Sequence, residues 1–356
     1  MFEYPRICID TGVIRRNSSK VSELCAKAGI AVWGVTKGLS GHPEVARAML
    51  EGGCSGIADS RCANILRMRE AGVKGPFMLL RIPMPSELSF VAEHVDIALV
   101  SMAETLEALD AECRKVKRNC GVIVMADMGD LREGIWPDEA TSMGETLKKC
   151  KALRFAGVGA NFGCLSGVLP TGKNLSGLVE VGQEIAASAG VGLDLVSGGA
   201  TSSLYLVEEN RMPRGVNQLR VGEAILLGTD VTGRREIPYL EKEAVEILAE
   251  VVECRRKPTK PIGEIGADAF GRVPVFEDRG ERLRVITAMG RQDVNPEGLE
   301  PVLEGASIIG ASSDHLTIDV EETGKSFKPG DILRFRPDYG AMLAASTSGY
   351  VNVKIL

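Results

Sequence analysis

The chain has 356 residues, 44% of them hydrophobic and 25% charged, with 42 Lys+Arg against 48 Asp+Glu for a formal net charge of -6. These are the proportions of an ordinary globular protein with room for one large core and a smaller one. The acidic balance, without any basic block, argues against a nucleic-acid surface, and no apolar run approaches the ~20 residues of a membrane helix.

The opening Met1-Phe2-Glu3-Tyr4-Pro5-Arg6 lacks the basic-then-apolar layout of a signal peptide, so a cytoplasmic protein is expected. Nine cysteines without a C-x-x-C pair suit reduced, mostly buried thiols. His42, His94 and His315 are far apart in the sequence, which speaks against a His-based zinc site and a Ser/His/Asp triad.

After a helix around 13–29, short β-type runs fall near 31–36, 55–58, 77–81, 96–100, 121–126, 154–159, 193–197 and 217–221. Helical patterns fill the gaps, for example 43–52, 61–71, 102–117, 138–150 and 174–189. Sequential strand–helix units of this number predict a parallel sheet closed into a (β/α)8 barrel of the TIM type, an α/β fold. An open doubly wound sheet is the second choice. From about Ile237 the pattern turns β-rich, with runs at 245–253, 283–289, 305–311, 314–320, 331–336 and 349–355. Pro329-Gly330-Asp331 reads as a turn feeding a strand, and Pro258, Pro261 and Gly263 as a loop. The expected organisation is a barrel over 1–235 and a C-terminal mainly-β domain over 236–356, with residues 1–10 available to pack on the β domain.

Barrel chemistry sits at the C-terminal ends of the strands. The polar residues there are Lys37, Asp59-Ser60-Arg61, Arg81, Ser101, Asp127 with Asp130 and Arg132, Asn161, Ser197 and Arg220. Lys37 follows an apolar run that would bury its stem, where desolvation and nearby cations lower an amine's pKa. Taken alone it reads first as a strand-end lysine facing solvent, and only its context argues otherwise. Ser197-Gly198-Gly199-Ala200-Thr201-Ser202-Ser203 opens a helix after the seventh strand, and small residues let backbone amides close on a phosphate. Arg220-Val221-Gly222-Glu223 offers a second such turn after the eighth strand, the usual place for a barrel phosphate site. In the polar loop 127–134, Arg132 is placed either to fork onto a substrate carboxylate or to form a surface ion pair.

Val35-Thr36-Lys37, Ala58-Asp59-Ser60-Arg61, Leu79-Leu80-Arg81-Ile82-Pro83, Gly129-Asp130-Leu131-Arg132-Glu133-Gly134, Asn217-Gln218-Leu219-Arg220-Val221-Gly222-Glu223 and Gly290-Arg291-Gln292-Asp293-Val294, in that order, resemble the fold-type III pyridoxal-phosphate enzymes. Within that alanine racemase superfamily the chain is most similar to the ornithine racemase-like amino-acid racemases. The resemblance implies pyridoxal 5'-phosphate held as a Schiff base on Lys37, which also serves as one of two catalytic bases. It implies that Arg220 faces the pyridine nitrogen, with Asn161 where alanine racemases carry a histidine. Ser197, Gly199 and Ser202, with the amides of Gly222 and Glu223, would surround the phosphate. Arg132, with Asp130 in the same loop, would meet the substrate carboxylate.

The second base of alanine racemases is a tyrosine delivered by a partner subunit. The corresponding stretch here reads Ile265-Gly266-Ala267-Asp268-Ala269-Phe270-Gly271, without one, and Met125 stands where a lysine supports the clamping arginine. Asp268 and then Asp293 are the candidates for that base, ahead of Tyr339 and Tyr350. An aspartate could instead pair with the distal ammonium of a diamino acid, or simply cap a turn. The expectation is a two-base racemase of a basic, ornithine- or lysine-like amino acid, working as a head-to-tail homodimer. A pyridoxal-phosphate carrier and a decarboxylase or aldolase on the same fold are the alternatives.

Overall fold

A computed structural model describes residues 3–356. The chain divides into two compact units: Thr11–Lys242, and the N-terminal residues up to Asp10 together with Glu243–Leu356. The division falls at Lys242/Glu243 rather than at 235/236. Strand β1 (Arg6–Ile9) belongs to the second of these units, and Met1 and Phe2 lie outside the described residues.

The first unit opens with α1 (Thr11–Lys27) and then alternates strand and helix. β2 (Ala31–Val35), β3 (Gly56–Asp59), β4 (Phe77–Leu79), β5 (Ile97–Val100), β6 (Cys120–Met125), β7 (Leu153–Gly159), β8 (Leu195–Ser197) and β9 (Gln218–Val221) close into a parallel barrel. The expected (β/α)8 barrel is therefore present, closed by β9 against β2. Between the strands run α2 (Pro43–Glu51), α3 (Cys62–Glu70), α4 (Leu88–His94), α5 (Ala103–Lys115), α6 (Ala140–Lys149) and α7 (Gly172–Ala189). α8 (Leu204–Glu208) follows β8, and α9 (Glu223–Leu227) follows β9.

Local chemistry sets these boundaries. α2 starts on Pro43 with the His42 side chain accepting the Glu44 amide, and α7 starts on a reciprocal Thr171/Asn174 cap and stops at left-handed Gly190. β3, β5 and β6 are buried along their whole length, as strands covered by helices outside and by side chains inside must be. Trp33, Val35, Ala58, Met78, Leu99, Ile123 and Met125 fill the interior. A buried side chain of that size contributes roughly 1.5–3 kcal/mol. The mouth thus stands on a packed floor.

A short ladder of β10 (Thr229–Asp230) and β11 (Arg235–Glu236) ends the unit. In the other unit, β12 (Val245–Pro258), β13 (Glu281–Thr287), β14 (Leu299–Pro301), β15 (Ser307–Ala311), β16 (Leu316–Asp319) and β17 (Ile332–Pro337) form the antiparallel order β14-β17-β12-β13-β16-β15. β1 joins this sheet against β12 and, in parallel, against β18 (Asn352–Ile355). β12 alternates buried and half-buried side chains, then shifts register between Val251 and Glu253 as its pairing passes to β13. It runs through Pro258, so the predicted loop begins later. α10 (Tyr339–Thr347), capped by Asp338, was not expected from the sequence. No described helix is long and apolar enough to cross a membrane.

Candidate active site at the barrel mouth

Lys37 leaves β2 as the first residue of a 3-10 turn, its side chain largely enclosed. Burial pushes its ammonium below the ordinary lysine value; Arg132 and Arg220 push the same way, while Cys164 and Asp59 oppose them. Thr36 anchors the strand end by donating its hydroxyl to Asp59 Oδ2 at 2.7 Å. Asp59 is fully buried, and its other oxygen accepts from Asn64 Nδ2 at 2.9 Å and the Arg61 amide at 3.0 Å. Burial raises the Asp59 carboxyl despite these donors. The pair fixes where Lys37 begins.

Arg220 is a fully buried cation, 3% exposed. Its Nη1 donates to Ser197 Oγ at 2.6 Å, and its Nη2 to the Ala160 carbonyl at 2.7 Å and to Asn161 Oδ1 at 2.8 Å. All three acceptors are neutral, so burial dominates and brings the guanidinium down to about 10. Asn161 in turn donates to Glu133, which also forks onto Arg132 (Arg132 Nη2 to Glu133 Oε1, 2.6 Å). Arg132, Glu133, Asn161, Arg220 and Ser197 thus form one hydrogen-bonded set around the mouth, with the two arginines acting electrostatically on Lys37. Arg81 is engaged by Glu87 at 2.6 Å.

The turns after β8 and β9 are joined to each other. The Ala224 amide donates to Thr201 Oγ1 at 3.2 Å, and the Arg220 amide to the Gly199 carbonyl at 3.0 Å. Gly199 has φ of +104°, and a Cβ there would lie 2.7 Å from Ser203 Oγ. At Gly222 a Cβ would press on Val35 at 3.0 Å, so Val35 would have to shift for the turn to carry a side chain. Glu223 turns its carboxylate away, accepting from Thr229 Oγ1 and the Val231 amide. Ser202 Oγ is buried without a hydrogen-bond partner among the described residues. A buried hydroxyl left unpaired between two amide-rich turns fits a phosphate.

Asp130 is 3% exposed, and its Oδ1 accepts from the Ser166 hydroxyl at 2.8 Å and more weakly from the Ser166 amide at 3.4 Å. Asp268 and Asp293 belong to the other unit, and both cap turns. Asp268 accepts the Phe270 and Arg272 amides, each at 2.9 Å, which hold its carboxyl below the usual range. Asp293 Oδ2 accepts the Gly290 amide at 2.8 Å, and burial raises its carboxyl.

Residues 9–230 match the alanine racemase N-terminal domain family. The chain belongs to the alanine racemase family. It is 42% identical over 349 residues to a lysine racemase of Thermotoga maritima, covering 98% of both chains. It is 38% identical over 356 residues to an ornithine racemase of Acetoanaerobium sticklandii, covering 99% of this chain and all of that one. The fold also resembles a crystal structure of the alanine racemase from Bacillus anthracis, at a TM-score of 0.76 with 16% identity over 100% of this chain and 96% of that one.

Against the family pattern, Met125 is wholly buried in the barrel floor, so Arg132 has Glu133 rather than a lysine beside it. Glu133, Asp59 and Cys164 had no assigned role from sequence. Asp59 sat among the strand-end polar residues, but the Glu133 and Cys164 contacts join separate loops and leave no local signal.

Proposed function

We propose that the protein is a pyridoxal-phosphate-dependent racemase of a basic amino acid. The observation that carries this reading is the pair of cations at the barrel mouth, half-buried Lys37 and fully buried Arg220, together with the Ser202 hydroxyl, buried without a partner among the described residues in the turn after β8. Lys37 would hold the cofactor through Nζ. Arg220, Asn161 and Ser197 would face its ring, and Ser202, Gly199 and the amides of Gly222 and Glu223 its phosphate. Once bound, the cofactor supplies an electron sink that makes the α-C–H of an amino acid acidic.

Burial lowers the Lys37 pKa below the ordinary lysine value, which eases its acceptance and return of a proton. Arg220 remains cationic and repels a proton from any ring nitrogen it faces, which favours proton return over deep charge delocalisation and so racemisation over decarboxylation. Arg132, in exchanging Glu133 for the substrate carboxylate, would orient the α-carbon, with Asp130 bracing its loop. Asp268 and Asp293 are the carboxylates that a neighbouring copy's C-terminal unit would bring. The full-length likeness to lysine and ornithine racemases supports a diamino acid as substrate. A head-to-tail homodimer, with one copy's C-terminal unit shielding the other's mouth, follows from the same reading, and sedimentation velocity tests it. Nine free thiols suit work in the cytoplasm.

Chiral chromatography of L-lysine, L-ornithine and L-alanine incubated with enzyme and cofactor tests the function. Lysine or ornithine is expected to racemise faster than alanine, and Lys37→Ala to lose at least about 10³-fold of that rate together with covalent cofactor retention. Racemisation by a Lys37→Ala protein, or release of carbon dioxide or aldehyde by the wild type, would overturn it.

A further inference from the structure

The loops after β6 and β7 are laced together at two points. Asn161 donates to Glu133, and Asp130 Oδ1 accepts from the Ser166 hydroxyl at 2.8 Å. Asp130 is 3% exposed, and its other oxygen, Oδ2, is buried without a hydrogen-bond partner among the described residues. Among those residues no ion pair reaches it, since Arg132, two residues on, forks onto Glu133 instead. An unpaired buried carboxylate oxygen is costly until a donor arrives. Its cover is thin: Ser166 and its neighbours Leu165 and Gly167 are exposed, and the Ser166 amide contact is long at 3.4 Å. The seam holds an anion that lacks its cation.

The other carboxylates of this end of the barrel are already engaged. Glu133 accepts from both Arg132 and Asn161, Asp127 holds the Gly129 and Leu131 amides, and Asp59 accepts on both oxygens. Lys37, Arg132 and Arg220 bring three cations, so a substrate with a further cationic end needs an anion whose charge is still unmatched. Asp130 cannot serve the substrate carboxylate, which would meet a like charge. We propose that Asp130 receives the distal ammonium of a diamino-acid substrate, resting on the racemase reading above and extending it to the residue that selects the side chain. Arg132 takes the carboxylate at one end of the substrate, and Asp130 Oδ2 takes the ammonium at the other. The Cα atoms of these two residues lie at most about 7 Å apart, a gap that the methylene chain of ornithine or lysine can span. The ammonium brings N–H donors as well as charge, so one contact satisfies the open oxygen and neutralises the buried anion. An amino acid with an uncharged side chain would leave Asp130 unpaired. The group that favours lysine or ornithine therefore also disfavours alanine.

The test gives holoenzyme L-lysine and L-ornithine alongside their uncharged counterparts L-norleucine and L-norvaline, with enantiomers resolved by chiral chromatography. Asp130→Asn keeps an Oδ1 acceptor for Ser166 and removes the charge. Its kcat/KM for lysine or ornithine is expected to fall at least about 30-fold, mostly through KM, while that for norleucine and norvaline stays within about threefold or rises. Asp130→Glu lengthens the acid by a methylene and is expected to move the preference from lysine towards ornithine, a result that does not depend on the folding of Asp130→Asn. Substrate affinity, read from the change in cofactor absorbance on mixing, should follow the same pattern, and cofactor affinity should stay within about twofold. Equal losses on charged and uncharged substrates would make Asp130 a loop brace only. An unchanged preference in both variants would leave Oδ2 to an ordered water. Either result overturns the assignment. A wild type that racemises none of these amino acids sinks the racemase reading instead.

Discussion

The turns after β8 and β9 and the loops after β6 and β7 open onto the same end of the barrel, yet they are made of opposite materials. The first pair is Gly, Ser and Thr, almost wholly buried, with one turn's amide bonded to the other's hydroxyl. In the second pair the loop after β6 brings the charges Asp127, Asp130, Arg132 and Glu133, the loop after β7 is uncharged and largely exposed, and the two are held by Asn161–Glu133 and Asp130–Ser166. One side is a preorganised socket that needs no rearrangement to receive an anion. The other is a set of exchangeable contacts, in which Glu133 already occupies the fork that a substrate carboxylate would take. The contrast suits a cofactor that stays and a substrate that comes and goes.

Replacing Arg132 is the strongest way to break that division. Arg132→Met is expected to lower kcat/KM by about 10²-fold, mostly through KM, because a bidentate contact to the substrate carboxylate is removed. Arg132→Lys should recover only part of it, since an ammonium cannot fork. Cofactor affinity, read by titration of the apoenzyme, should stay within about twofold in both. If it falls as far as kcat/KM, the two sides are one cooperative site and the comparison fails.

Ser202→Ala probes the socket with a smaller effect. Its hydroxyl has no partner among the described residues, so removing it should not lower, and should slightly raise, the apoenzyme's thermal midpoint. Cofactor affinity should nonetheless weaken about tenfold, the worth of one charge-assisted hydrogen bond. Loss of apoenzyme stability without loss of cofactor affinity would make Ser202 a structural residue.

The socket was legible in the sequence because it lies at strand ends. Cys120–Met125 is a compact apolar run whose C-terminus locates the mouth, and the Ser/Gly stretch that follows β8 needs no long-range contact to be read. The charged side was less legible. Asp130, Arg132 and Asn161 follow from their strands, but the Glu133 bridge depends on two loops meeting across some thirty residues of chain. In the other unit, β1 is only four residues long and finds its partners at the far end of the sequence. α10 is small and apolar on every side, Tyr-Gly-Ala-Met-Leu-Ala-Ala-Ser-Thr, and so shows no helical stripe.

The smallest effect tests the link between floor and mouth. Asp59 is buried beneath the end of β2, and its charge holds up the pKa of Lys37 against burial, Arg132 and Arg220. Asp59→Asn keeps the shape: Oδ1 can still accept from Arg61 and Asn64, and the Thr36 hydroxyl can rotate to accept from the new amide. With the negative charge gone, Lys37 should ionise at still lower pH. The pH dependence of cofactor loading onto the apoenzyme should shift towards acid, since loading requires the neutral amine. The stability change has a definite sign as well. A lysine whose folded pKa lies below its unfolded value costs stability while both states are charged, and that cost is relieved as pH rises from the folded to the unfolded pKa. Asp59→Asn should therefore start the recovery at lower pH than wild type. A loading profile that shifts towards base would mean that Asp59 acts on Lys37 through position rather than charge.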